Sequence, residues 1–312
     1  MFHTKAKFKK GGFGVRKNIV LIMLLLGILS GCGKEKEPII SLYQADSKEI
    51  VEMPLEEYLC GVVAAEMATD WPEEALQAQA ILARTFTLEK MQNGGVPQRG
   101  TDASTDVEEF QAYDAAKINQ AVREAVEETE GEVITYNGEL IKAWFFADGG
   151  GVTAATALEG LGYDKEKTPY IHSVKDPGFD LQDNENRAWE AVFSLDEVKQ
   201  ALEKINATAP KQITKVEITA QGQSGRATKI AFDDMEVGAA AFRLAIGSEK
   251  MKSNMLEDIR IENQKLIVKG KGYGHGVGMS QWGAKAMAMK GEDAEDIIRY
   301  FFKDITIEQW YD

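Results

Sequence analysis

MPLEEYLCGVVAAEMATDWPEEALQAQAILARTFTL, residues 53–88, reads as a helix, a turn and a second helix. Pro54 suits a first helical turn, and Glu56 and Glu57 favour the positive end of the helix dipole. Tyr58, Leu59, Val62, Val63 and Glu66 recur at three- and four-residue steps and share one face. Asp70, followed three residues later by Glu73, has the spacing of a capping box, with Pro72 in the first turn of the next helix. Ala75, Ala78, Ala80 and Ala83 then leave room for another backbone to approach. The anomaly is Glu66, a carboxylate on an apolar face. Either it sits at a rim or pairs with a cation such as Arg84, or partial burial disfavours its charged form. The second arrangement raises the pKa, as a general acid at neutral pH requires.

Outward from this pair of helices the pattern is mixed. Residues 39–51 are expected to be extended. Residues 93–106, rich in Gly, Pro, Ser, Thr and Asp, read as a loop. A helix over 118–130 precedes a hairpin, with Asn137-Gly138 as the turn between β-rich runs at 132–136 and 140–146. Gly149, Gly150 and Gly151 end that second run. A helix capped by Ser194 covers 194–204, strands fall at 216–219, 228–232 and 265–268, and helices begin near Ser280 and Asp293. These elements predict an α+β fold: one large body, with room for two lobes around a cleft, helices early and late and a β-rich middle.

A second unusual stretch is GKGYGHGVGMSQWGAKAMA, residues 270–288. Its glycines alternate with Lys271, Tyr273, His275 and Val277. No window matches G-x-G-x-x-G and no G-K-[ST] follows, which argues against a phosphate-cradling loop. Alternating glycines permit close approach of a ligand, or backbone angles closed to other residues. His275 is either a hydrogen-bonded loop residue or part of a site, and Ser280 offers a cap for the following helix.

The 312 residues contain 36 Lys and Arg against 50 Asp and Glu. Six of the basic residues and no acid fall within 1–31, so the remainder carries 30 basic and 50 acidic residues, formally −20. A body this acidic repels nucleic-acid phosphates, and no nucleic-acid partner is expected. The basic N-terminus leads into an 11-residue apolar run at 19–29, the length of a signal-peptide core and short for a membrane span. The run closes as Leu-Ser-Gly-Cys at Cys32. This resembles the lipobox of bacterial lipoproteins, which implies a signal peptide over 1–31, lipidation of Cys32 and a tether over 32–47. The alternative is an uncleaved anchor; either way the body lies outside the cytoplasmic membrane. Cys60, the other cysteine, is expected to pack as a small buried hydrophobe.

The segments at 53–88 and 272–284 together resemble the SpoIID/LytB family, the group of stage II sporulation protein D. Gln111-Ala-Tyr113, Gly150-Gly-Val-Thr153, Val174-Lys-Asp-Pro177 and the stretch from Phe242-Arg243 to Ser248 fit in outline, so the resemblance spans residues 48–312. It implies a peptidoglycan lytic transglycosylase acting on glycan strands stripped of stem peptides, with Glu66 as the catalytic residue. Gln79, Arg84, Tyr273, His275, Ser280 and Gln281 are the polar groups expected near the sugar, Arg84 holding either substrate or scaffold. Some relatives carry zinc just before the Gln-x-Tyr, but STDVEEFQAY, residues 104–113, holds neither Cys nor His. No metal or organic cofactor is called for. The resemblance also implies a rival role, as a non-catalytic stimulator of a cell-wall amidase. A third chemistry, water-activating hydrolysis, would need a second acid such as Asp70.

Overall fold

The computed structural model describes residues 36–311. The signal peptide expected over 1–31 and the lipidation expected at Cys32 lie outside the described residues. No helix among the described residues is long and apolar enough to cross a membrane.

Helix α1 (Leu55–Glu66) follows a hairpin of Ile39–Tyr43 with Ile50–Pro54. Helix α2 (Glu73–Gln92) is the axis of the first core: its alanines are buried, and it packs against α1, α3 (Gln120–Glu128), α7 (Gln281–Ala288) and α8 (Ala294–Phe301). Between α3 and α7 come α4 (Ala157–Leu161), α5 (Leu195–Lys204) and α6 (Ala239–Ile246). Ser194 caps α5 in a reciprocal capping box with Glu197. No such box opens α2. Asp70 is exposed, and Pro72 stands at the cap with no side-chain bond to the first turn. Proline fits that position without a capping acceptor.

A second core, from Trp189 to Val268, holds α5, α6 and two three-stranded antiparallel sheets. One sheet orders Leu256–Glu262, Lys265–Gly270 and Trp189–Ser194; the other orders Met235–Gly238, Ala227–Phe232 and Val216–Gln221. The fold is thus α+β, with helices early and late in the described residues and a β-rich middle.

The predicted hairpin forms only at its turn. Glu132–Tyr136 pairs with just Glu139–Leu140, and its other edge takes Thr306–Gln309. The chain then leaves the sheet, and Phe145–Phe146 pairs in parallel with Met279–Ser280. That divergence carries residues 144–147 to the site described next.

Candidate active site

Glu66 is the last residue of α1, which stops because Met67 turns extended (φ −126°, ψ 154°). The side chain enters a cavity of about 500 Å³, walled by Phe86, Phe110, Trp144 and Phe146 and closed by Tyr273, His275 and Gln281. Burial pushes the Glu66 carboxyl above its ordinary range. Hydrogen bonds from the Ala112 amide (2.9 Å to Oε1) and the Gln281 side chain oppose that rise without cancelling it. Among the described residues no other carboxylate lines this cavity.

The glycine segment supplies the facing wall. Gly272, Gly274, Gly276 and Gly278 all adopt positive φ, from 77° to 110°. At Gly278 an added Cβ would lie 2.0 Å from the Trp144 carbonyl oxygen, and at Gly276 it would lie 2.4 Å from the Arg226 guanidinium. The glycines therefore seat this backbone against other protein segments, which is the second of the two uses open to them. The residues between them divide: Tyr273 and His275 line the cavity, whereas Val277 is buried in the first core.

His275 is held neutral. Its Nδ1 accepts from the Val277 amide (3.1 Å), and its ring packs against Phe146 at a tilt of 60°, with centroids 5.6 Å apart. Burial, then the charges of Arg243 and Arg226, push its pKa down to about 3, against a hydrogen bond with the Phe145 backbone. A folded-state pKa below the unfolded value of 6.5 means that stability is full above 6.5 and is lost as pH falls toward 3. Replacing it isolates this group from the other titrations. On acidification through that window, the melting temperature of His275→Gln should fall less than that of the unaltered chain. Parallel thermal melts across the pH series would check it; equal slopes would mean that His275 titrates as it does in the unfolded chain.

Behind the cavity lies a buried charged cluster. Asp176 accepts from the amides of Gly149 (2.6 Å) and Gly178 (3.0 Å), and burial together with the Asp148 charge pushes its pKa up to about 6. Arg226 donates to the carbonyls of Gly149 (2.6 Å) and Val152 (2.8 Å). Ser280, beside Asp176, donates to the Ala147 carbonyl (3.3 Å) and accepts from the Gly283 amide as the cap of α7. The cluster thus ties the Phe146–Ala147 wall to the start of the Gln281 helix.

Of the residues singled out from sequence, Glu66, Tyr273, His275 and Gln281 meet at the cavity. Gln79 lies one step back, fully buried, its Oε1 accepting from Gln281 (3.3 Å). Ser280 serves the α7 cap. Arg84 lies elsewhere: fully buried, it grips Glu56 through Nε (2.8 Å) and Nη2 (2.6 Å) and donates to the Glu132 carbonyl (3.1 Å). It is scaffold and leaves Glu66 without a cation. Cys60 is buried in the first core. The aromatic walls were missed, because residues 144–146 in a β-rich run read as strand packing. Asp148, Asp176 and Arg226 were missed as a charged group because they come together only in space.

The profile of a family described as Stage II sporulation protein matches residues 43–136, and a domain of unknown function, DUF8618, matches residues 163–278. An uncharacterized protein of Brachyspira hyodysenteriae is 31% identical, covering 82% of this chain and 67% of its own length. Stage II sporulation protein D of Bacillus amyloliquefaciens is 30% identical, covering 88% of this chain and 80% of its own. The amidase enhancer of Bacillus subtilis is 28% identical over 81% of this chain, which matches 40% of that longer protein.

Proposed function

The chain belongs to the SpoIID/LytB family, and we propose that it is a peptidoglycan lytic transglycosylase working on peptide-stripped glycan strands in sporulation or cell-wall remodelling. It acts at the outer face of the cytoplasmic membrane, tethered through Cys32. The observation that carries this reading is a lone Glu66 carboxyl, desolvated and free of any cation, in an aromatic-walled cavity. The raised pKa favours the protonated form, the one that can give a proton to the glycosidic oxygen.

The steps balance on that one group. Glu66 gives its proton to the oxygen leaving C1 of N-acetylmuramic acid, and the C1–O bond breaks. The Glu66 carboxylate then takes the proton of the same sugar's 6-hydroxyl as that oxygen bonds to C1. A 1,6-anhydro end forms, no water is consumed, and the acid is restored. Hydrolysis would instead need a second carboxylate to activate water. The cavity lining has none, and Asp70 is exposed beyond the helix end. With a strand seated over them, the rings of Phe86, Phe110, Trp144 and Phe146 would favour the internal nucleophile by displacing water from the reacting sugar.

A second reading draws on the amidase enhancer: a family member acting by stimulating a cell-wall amidase partner. Mass analysis of products separates the readings. With purified peptide-free strands the expected new ends are each one water lighter than reducing ends. Reducing ends would overturn the transglycosylase in favour of hydrolysis. Intact strands, together with faster release of stem peptides when the chain is added to an amidase acting on peptide-bearing peptidoglycan, would establish the stimulator instead.

A further inference from the structure

We propose that a second cavity, at the C-terminal end of α2, is a saccharide subsite that holds the same glycan strand beyond the Glu66 cavity. The proposal rests on the reading of the Glu66 cavity as a glycan site and names what else that strand touches. The cavity has a volume of about 640 Å³ and is lined by Glu89, Asn93, Tyr136, Lys142, Glu166 and Tyr170 among others.

Its most telling atom is Glu89 Oε2. Glu89 is 4% exposed, and both of its side-chain donors converge on the other oxygen: the Lys142 ammonium and the Asn93 amide (2.7 Å) reach Oε1. Oε2 is buried and receives no hydrogen bond. A buried carboxylate oxygen without a donor is costly, so the site is built to accept one from a ligand. Lys142 also reaches Glu166 (3.0 Å), and one ammonium shared by two carboxylates leaves the group with a net negative charge.

The rest of the lining selects the class of donor. Tyr136 and Tyr170 present rings tilted by 53°, with centroids 5.7 Å apart, and the Asn93 side chain adds an amide beside them. Apolar ring faces beside a carboxylate acceptor and amides suit a sugar, which offers C–H faces and O–H or acetamido N–H donors. The ammonium position beside Glu89 is already filled by Lys142, which weighs against a cationic ligand.

Continuity with the first cavity makes the ligand a strand. Phe86 lines the Glu66 cavity and Glu89 lines the second, one turn apart on α2, and so on one face. Trp144, a wall of the first cavity, packs edge-on against Tyr163 (5.1 Å), whose hydroxyl donates to Glu166 (2.7 Å) in the second. A glycan leaving Glu66 over Trp144 therefore arrives at Glu89.

The test separates binding from cleavage. In the full chain carrying Glu66→Gln, calorimetry with peptide-free oligomers from disaccharide to octasaccharide should show affinity rising with length. The expected gain on reaching the second cavity is roughly tenfold or more, about 1.4 kcal/mol per tenfold. Adding Glu89→Gln should remove that gain and return long oligomers to the affinity of short ones. Tyr136→Ala, which leaves the Glu89–Lys142 pair intact, should do the same and serves if Glu89→Gln melts early. Affinity independent of length, or a length gain that both variants keep, would overturn the proposal. So would tight binding of spermidine that is lost in Glu89→Gln, because that marks a cation site. Length-dependent binding, where the unaltered chain cuts nothing, would leave the subsite standing and remove only the transglycosylase reading.

Discussion

Glu66→Gln should abolish glycan cleavage while leaving the protein as stable as before, or more so. Loss of a positioned general acid costs roughly 10²–10⁴-fold in rate, and here the same group also serves as the base, so the upper part of that span is expected. Glutamine keeps the volume and retains an acceptor for the Ala112 amide, now at 2.9 Å from Oε1. What it cannot do is carry a proton to a leaving oxygen. Stability should not suffer, because burial disfavours the charged form of Glu66. Above its unfolded pKa the native state bears a penalty that a neutral amide removes. Raised pKa also sets the direction of the pH profile: kcat/KM should decline only at a pH above the ordinary carboxylate range. A variant that cuts at the normal rate would place the proton donor elsewhere, and a sharp drop in melting temperature would make Glu66 a structural residue.

What could be read from the chain beforehand was local. Pro54, Pro72, Ser194 and Ser280 mark helix starts within a residue of where they occur, because a cap depends on its immediate neighbours. Glu66 stood out for the same reason, being one polar side chain on an apolar helical face. The glycine alternation at 270–278 was visible too, although not that its vacancies are filled by Trp144 and Arg226 rather than by ligand. The failures are non-local. Phe145 and Phe146 find their strand partner at Met279 and Ser280, far along the chain, and no period in residues 140–146 encodes that pairing. Asp148, Asp176 and Arg226 lie on three separate segments whose convergence only the fold reveals. Asp70 shows the converse error: correct spacing for a capping box, with Pro72 already occupying the cap.

Arg84→Met should produce the largest loss of stability of any single change considered, about 3–5 kcal/mol, read as a lowered midpoint in urea unfolding. The guanidinium is fully buried between α2 and α3 and carries four hydrogen bonds, two to Glu56 and one each to the carbonyls of Glu132 (3.1 Å) and Val126 (3.3 Å). Removing it strands the Glu56 carboxylate, whose remaining donors are Tyr311 and the more distant Gly131 amide (3.4 Å), and takes a donor from the carbonyls of Glu132 and Val126. Most of the cost is that stranded charge rather than the worth of the pair. Glu56→Gln combined with Arg84→Met should therefore recover a substantial part of the loss, and the double-mutant cycle measures how much. Arg84→Lys should rescue poorly, since one ammonium cannot reproduce the bidentate grip and the two carbonyl bonds together. The same residue was a candidate for holding substrate. If Arg84→Met instead kept its urea midpoint and lost affinity for glycan oligomers, the cation would have to reach the cavity in solution, and its burial against Glu56 would not describe the working protein.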